Sequence, residues 1–380
     1  MAQPSEKREL QSRDIELIKA FEEQYRGMIE EIHKVIIGQD KVIVELLITL
    51  FARGHALLIG VPGLAKTLLV NTLSGVLGWD FKRIQFTPDM MPSDITGTEI
   101  IQQDPKTGQR IMNYVKGPIF ANLVLADEIN RAPPKTQAAL LESMQEYTVT
   151  SAGQTYPLEQ PFMVAATQNP IEHEGTYPLP EAQLDRFMFT IKVDYPERAS
   201  EMSIVDETTS HDAIPVAPVM SKQDVLTIQE FVRRIPVSKH VLAYAVDLAA
   251  ASRPGLESLP FVREFVEWGA GPRASQYLIL GAKSLALLRG MPAPSCKEVR
   301  DVAIPVLGHR ILCNYRAAGQ GVTSERVIKE ILQHVQQSGY ARKGRNQTLG
   351  TKKLHIAGGA DSSASRMARV LNKMKQGSNT

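Results

Sequence analysis

The 380-residue sequence predicts an α/β domain, a parallel sheet covered by helices on both faces, that carries two inserted β-hairpins and is followed by a smaller all-α domain. Three observations predict it. Short, almost wholly apolar runs alternate with helical patterns, which is how strands buried on both faces of a parallel sheet read. A glycine-containing stretch stands between one such run and a helical pattern. After about residue 195 the strand signal fades and helical periods take over.

A helix leads in, because Ile15, Ile18, Phe21, Ile29 and Ile32 recur near helical spacing within residues 12–34. "HALLIG" is then a short apolar strand, followed at once by the loop "VPGLAKT" and by "TLLVNTLSGVLG", a helical pattern that stops at Gly78. "FKRIQF", "ANLVLADE", "PFMVAATQNP" and "FMFTIKVDYP" read as four further strands. Two segments break the rhythm. "TGTEIIQQDPKTGQRIMNYVKGP" has two β-like runs around a Pro-Lys-Thr-Gly turn, and "EYTVTSAGQTYPL" repeats the design around Ser151-Ala152-Gly153, so both are expected to be hairpins. "SHDAIPVAPVMS" has the composition of a linker. The expected divisions are a lead-in (1–35), the α/β domain (36–195), a linker (196–221), the all-α domain (222–337) and a basic, disordered tail (338–380) with one helical stretch at "SRMARVLNKMK".

Composition bounds the function. Hydrophobic residues are 43% and charged residues 22%, an ordinary globular balance. No apolar run approaches the ~18 residues of a membrane span; the longest, "KVIVELLITLFARGHALLIG", is broken by Glu45, Arg53 and His55. The N-terminal stretch lacks the apolar core of a signal peptide, and Cys296 and Cys313 have no metal spacing. A cytoplasmic protein is expected. The net charge of +2 is uneven: residues 341–380 carry nine Lys/Arg and one acid, which leaves 34 basic against 40 acidic residues in the first 340. An acidic body argues against a broad nucleic-acid surface.

The loop after the first strand is close to the phosphate-binding pattern G-x-x-x-x-G-K-[ST], with Gly60, Gly63, Lys66 and Thr67 in place and Ala65 where the second glycine of the pattern belongs. Such a loop surrounds phosphates with backbone N–H groups at a helix N-terminus, its lysine reaches the β- and γ-phosphates, and its hydroxyl helps hold Mg²⁺. Alanine is acceptable at position 65 if φ is negative there; only a positive φ demands glycine. The relaxed pattern alone is weak, and a turn before a core helix would read the same way. The second motif strengthens it. Asp127 and Glu128 end a buried apolar strand, where two adjacent carboxylates are costly without purpose and where ligands of parallel sheets bind. Asp127 could hold Mg²⁺ through water, and Glu128 could polarise an attacking water. Asn169, at the end of the neighbouring strand, could orient that water or sense the γ-phosphate, although alone it reads as an ordinary loop residue. Arg186 in "LPEAQLDRF" and Arg273 in "GAGPRAS" could stabilise the charge that spreads over the γ-phosphoryl oxygens; a single arginine is otherwise most often a surface residue.

Together "IIGQ", "GVPGLAKT", "DEINRAPPKTQAALLESMQE", "ATQNPIEHEGTYPLPEAQLDRF" and "GPRAS" resemble the MoxR family of AAA+ ATPases, within the helix-2-insert clade, in order and spacing from about residue 14 to 337. The family commonly carries alanine before this lysine. The resemblance implies a P-loop AAA+ fold with an all-α lid. It implies that Ile37, Gly38 and Gln39 lie near the adenine, and that Gly60, Val61, Pro62, Gly63, Leu64, Ala65, Lys66, Thr67 and Leu68 form the Walker A region. Asp127 and Glu128 match Walker B, with Thr67 and Asp127 at the metal. Asn169 matches sensor 1, Arg186 the arginine finger that acts on a neighbouring subunit's nucleotide, and Arg273 sensor 2, in cis or in trans. The hairpins near 98–115 and 147–158 match the two clade inserts. ATP and Mg²⁺ are the implied cofactors. A ring, often a hexamer, and a protein partner bearing a von Willebrand factor A domain are the implied associates.

Three rivals stand beside a motor that remodels a protein partner: a ring helicase or DNA remodeller, a metal-chelatase motor subunit, and a non-catalytic nucleotide-gated scaffold. Helicase hairpins present basic residues to the strand. Here the second hairpin has none, and the first has Lys106 and Arg110 beside Asp104. Strong nucleic-acid binding is therefore not expected. The tail reads as a solvated basic segment, with a membrane or partner contact through Met367, Val370, Leu371 and Met374 as the alternative.

Overall fold

The computed structural model describes residues 12–103, 110–151, 153–171, 175–210 and 214–335. The tail, the turn holding Asp104 and Lys106, and Ala152 lie outside the described residues. Helices α1 (Ser12–His33) and α2 (Asp40–Phe51) precede β1 (Ala56–Ile59), α3 (Lys66–Leu77), β2 (Phe81–Gln85) and α4 (Pro92–Thr96). The hairpin β3 (Gly97–Gln103) and β4 (Arg110–Lys116) follows, then β5 (Leu123–Asp127) and α5 (Pro134–Glu146). A second hairpin, β6 (Thr148–Ser151) and β7 (Gln154–Pro157), leads to β8 (Met163–Gln168), α6 (Glu181–Leu184) and β9 (Phe189–Lys192).

The main sheet has the order β2-β5-β8-β1-β9, and every pairing in it is parallel. Its central strands β5, β8 and β1 are almost wholly apolar because both faces are covered, whereas the edge strand β2 exposes Lys82 and Arg83. Side chains alternate across a strand, so Ala56, Leu58, Leu123, Leu125, Met163 and Ala165 face one core, while Leu57, Val124, Ala126, Val164 and Ala166 face the other. Helix α1 lays Phe21, Met28 and Ile32 on the first core, with the Phe21 ring edge-on to Phe51 at 4.9 Å. Ile15, predicted to share that stripe, is exposed. Helix α3 ends at Gly78, in the left-handed region at φ 60, as the sequence predicts.

The second half comprises α7 (Arg198–Ser210), α8 (Lys222–Arg234), α9 (Lys239–Ala251), α10 (Pro260–Phe265), β10 (Val266–Trp268), α11 (Pro272–Leu288), α12 (Cys296–Asp301), α13 (Ala303–Leu307), β11 (Leu312–Cys313), α14 (Tyr315–Gly319) and α15 (Ser324–His334). Three features differ from the sequence reading. The expected linker opens with a 13-residue helix, α7, none of whose residues is buried; without a buried stripe it leaves little periodic signal. A two-stranded ribbon, β10 with β11, sits inside the all-α domain, its strands too short to register in a pattern. The two domains also share one core: Val225, Phe231, Leu278 and Val306 belong to the same cluster as Phe51, Leu58 and Phe189. Gln229 of α8 donates to Leu50 O of α2 at 2.8 Å, which binds the domains further.

Candidate active site

In a parallel sheet the loops after the strands gather at the carboxyl edge. Here β1 is followed by the Gly60–Thr67 loop, β5 ends at Asp127 with Glu128 next, and β8 is followed by Asn169. Thr67 Oγ1 lies 3.5 Å from Asp127 Oδ2, so the first two motifs do meet. Lys66 Nζ donates to Gly60 O and Val61 O at 2.6 and 2.7 Å and so lies back over its own loop. Burial pulls its pKa below the ordinary lysine value, while Asp127 and Glu128 oppose that shift.

The loop's backbone answers the question raised by Ala65. Gly63 has φ +86 and open space where a Cβ would stand, so its requirement is conformational. Gly60 is needed for a different reason: a Cβ there would meet Val193 O of the β9 end at 2.5 Å. Ala65 has φ 54 and ψ 23. The condition of a negative φ therefore does not hold. Alanine occupies a left-handed position at the N-terminus of α3, at a cost of about 1–2 kcal/mol. Gln39, also left-handed at φ 55, reaches across to the loop, its Nε2 donating to Leu64 O at 3.3 Å. Gly38, at φ +69, lies against Ser200 of α7. Through Gln39 the 37–39 segment thus borders the phosphate loop.

Asp127 is 8% exposed and fully engaged. Its Oδ1 accepts from Thr167 Oγ1 at 2.6 Å, and its Oδ2 accepts from Arg83 Nε and Nη2 at 3.0 and 2.7 Å. Glu128 has φ 56; its N–H donates to Thr167 Oγ1 at 2.9 Å, and its Oε2 accepts from Gln85 Nε2 at 2.9 Å and pairs with Arg131 Nε at 3.2 Å. Asn169 is buried, and its Oδ1 accepts from Ile171 N at 3.2 Å. Arg83, Gln85 and Thr167 were not singled out from sequence. Their signal is the strand alternation of "FKRIQF" and "AATQN", but only the strand order β2-β5-β8 places them beside Asp127.

The two arginines are elsewhere. Phe189 pairs with Ala56 at the start of β1, so Arg186, just before β9, lies at the amino edge of the sheet. Arg186 and Arg273 line one pocket of about 120 Å³ with Arg53, His55, Tyr147 and Tyr277. His55 precedes β1 and is held by Met144 O at 2.9 Å and Val164 N at 3.0 Å; burial pushes its pKa down to about 4, so it is neutral. Strand β1 alone spans ~13 Å at about 3.3 Å per residue, and it separates this pocket from the phosphate loop. Arg273 Nη1 donates to Asp185 Oδ2 at 3.1 Å, and Asp185 also pairs with the buried Arg310 at 2.7 Å. Arg53, Asp185 and Arg310 were missed by sequence reading. A His-Arg pair inside the apolar run "PVLGHRIL" is the one signal that Arg310 left.

Known proteins match this architecture. Residues 55–189 match the family model of the ATPase family associated with various cellular activities (AAA), and residues 261–331 match the AAA lid domain. The chain is 45% identical over 313 residues to a protein named Chaperone MoxR1 of Mycobacterium tuberculosis, covering 81% of this chain and 80% of that one. It is 40% identical over 308 residues to the uncharacterised protein YeaC of Bacillus subtilis, covering 81% and 92%. A crystal structure of a candidate ATPase from Cytophaga hutchinsonii superposes with a TM-score of 0.78 at 41% identity, covering 84% of this chain and 97% of that one. Fold, motif order and kinship agree: the chain is an ATPase and belongs to the MoxR family of AAA+ proteins.

Proposed function

We propose that this ATPase completes its active site between two copies of the chain and uses hydrolysis to remodel a protein partner. The observation that carries the reading is the separation of the two clusters. Lys66, Thr67, Asp127, Glu128 and Asn169 gather at the carboxyl edge of the sheet, whereas Arg186 and Arg273 share a pocket at the amino edge. A chain cannot bring that pocket to its own phosphate loop without breaking the sheet between them. A head-to-tail ring can, because each interface joins one subunit's front to the next subunit's back. Arg273 lies in the same pocket as Arg186, which favours action in trans for both, and a hexamer is the ring size that the family resemblance suggests.

The chemistry assigned to each residue follows from its surroundings. Backbone N–H groups of residues 60–67 at the start of α3 cradle the phosphates. Lys66 exchanges its bonds to Gly60 O and Val61 O for the β- and γ-phosphates. Glu128, fixed by Gln85 and Arg131, polarises the attacking water. The Asn169 amide, with its oxygen tied to Ile171 N, presents its Nδ2 hydrogens to that water. The hydroxyl of Thr67 and the carboxylate of Asp127 converge as hard oxygen donors, a set that suits Mg²⁺ held jointly by protein and phosphates. Bound there, Mg²⁺ would neutralise charge on the β- and γ-phosphate oxygens. Arg186 and Arg273 stabilise the charge on the neighbour's γ-phosphoryl group.

The hairpins support a protein client over nucleic acid. Ile101 and Met112 face each other across β3 and β4, 65% and 59% exposed. Tyr114 of the first hairpin stacks on Tyr156 of the second, centroids 4.3 Å apart, so the two inserts adjoin and carry those exposed apolar side chains on one joined unit. A von Willebrand factor A domain protein is the partner class that the family resemblance suggests. The test is Arg186→Ala. It should bind ATP as the parent does but lose on the order of 10³-fold in turnover, the scale of arginine fingers. Mixing it with Glu128→Gln subunits should restore part of the rate, since some interfaces then join an intact Glu128 to an intact Arg186. Parental turnover in Arg186→Ala would overturn the shared site.

A further inference from the structure

The loop that carries Arg186 is gripped from the all-α domain by a residue that no catalytic motif includes. Arg310 lies between α13 and β11 with a side chain only 2% exposed. A guanidinium has five N–H donors, and here each has an acceptor. Nε donates to Asp185 Oδ1 at 2.7 Å. Nη2 donates to Asp185 O at 2.9 Å and to Phe187 O at 2.7 Å. Nη1 donates to Met188 O at 3.2 Å and to Val306 O. The carbonyls of Asp185 and Phe187 are those on either side of Arg186. His309 adds a second contact to Phe187 O at 3.2 Å. The Arg310 guanidinium also lies over the Tyr277 ring, 5.0 Å from its centroid, and Tyr277 lines the same pocket as Arg186 and Arg273.

We propose that Arg310 is the positioning residue of Arg186: by holding the carbonyls of the residues before and after it, Asp185 and Phe187, Arg310 sets the direction in which the arginine leaves the surface toward the neighbouring subunit. This rests on the reading that Arg186 acts on a neighbour's nucleotide. The shared Asp185 carboxylate extends the grip to Arg273, so the two arginines and the all-α domain move as one body. A shift of that domain in one subunit would then redirect the arginines aimed at the next. Lysine cannot take over this role fully, since it offers three donors on a point charge rather than a planar fork.

A double-mutant cycle separates positioning from general damage. Arg186→Ala, Arg310→Lys, Arg310→Gln and the two Arg186→Ala doubles are compared in ATP affinity and in steady-state turnover, at concentrations where light scattering shows equal assembly. Arg310→Gln should lose ~10–100-fold in turnover, the cost expected of a misplacement near 1 Å, with ATP affinity changed less than ~3-fold; Arg310→Lys should retain more of the rate. On the Arg186→Ala background, neither change should lower the rate further. Multiplying losses, a matching loss of ATP affinity, or parental turnover in both single Arg310 variants would overturn the assignment. If the Arg310 variants do not fold, Asp185→Asn takes their place in the same cycle with the same expected pattern. An Arg186→Ala protein with parental turnover would remove the shared-site reading itself. A defective Arg186→Ala with multiplying losses would remove the Arg310 role alone.

Discussion

Ala65 shows how one residue can be read for kinship while its conformation stays open. The motif identifies the loop, but sequence carries no dihedral angle, and the left-handed φ of 54 emerges only from the fold. Ala65→Gly removes about 1–2 kcal/mol of strain and returns about 0.5–1 kcal/mol through glycine's greater freedom when unfolded. The net expectation is a small gain in stability, with Tm up by about 1–2 °C; a fall in Tm would mean that the loop does not hold this conformation. The residues proposed as catalytic behave more simply. Lys66→Ala removes the charge proposed to face the phosphates and should abolish tight ATP binding. Glu128→Gln should bind ATP but turn over at least ~100-fold more slowly, the scale of lost general-base assistance; near-parental turnover would remove Glu128 as the base. Lys66, Asp127, Glu128 and Asn169 could be picked out as candidates because each stands in a recognisable run, Lys66 at the start of α3 and the other three at or just past the ends of β5 and β8. Arg83, Thr167 and Arg310 were not, because their partners come from strands or domains distant in sequence.

Among the elements, the strands were the most legible. Both faces of the central strands β5, β8 and β1 are buried, so those apolar runs needed no partner to be recognised. Helix α7 was not, because no residue of it is buried and periodicity is a record of burial. Helix α2 holds a pH-sensitive group. Glu45 is buried in it, with Lys41 Nζ 4.0 Å away, and burial pushes its pKa from 4.5 up to about 7 against the pull of Lys41. The folded pKa lies above the unfolded one, so this group's contribution is fully present below about pH 4.5 and is lost as pH rises through about 7. The loss amounts to about 3 kcal/mol at roughly 1.4 kcal/mol per unit. Glu45→Gln should therefore raise Tm at pH 8 and leave it nearly unchanged at pH 5. An equal change at both pH values would contradict this.

At the scale of the whole molecule, the domains are one packed body with a shared core, and the arginine pocket lies across the seam between them. Sequence separated the domains by composition and could not show that their cores merge. Among the described residues, no helix is long and apolar enough to cross a membrane. The hairpins expose Ile101 and Met112 with few basic residues, and the body is acidic, so bare DNA or RNA should not strongly stimulate hydrolysis. Binding that appears should come from the basic tail and fall steeply with salt. A chain ending at residue 337 that still unwound a duplex would favour the helicase reading.

The central claim is that no single chain holds a complete active site. It is tested most directly by measuring turnover per subunit across a range of protein concentrations, with the mass followed by light scattering in the presence of ATP. The expected result is a rate per subunit that climbs as the ring mass appears and that depends on Arg186 only in the assembled form. A protein that stays monomeric, hydrolyses ATP at its full rate and still requires Arg186 would contradict it.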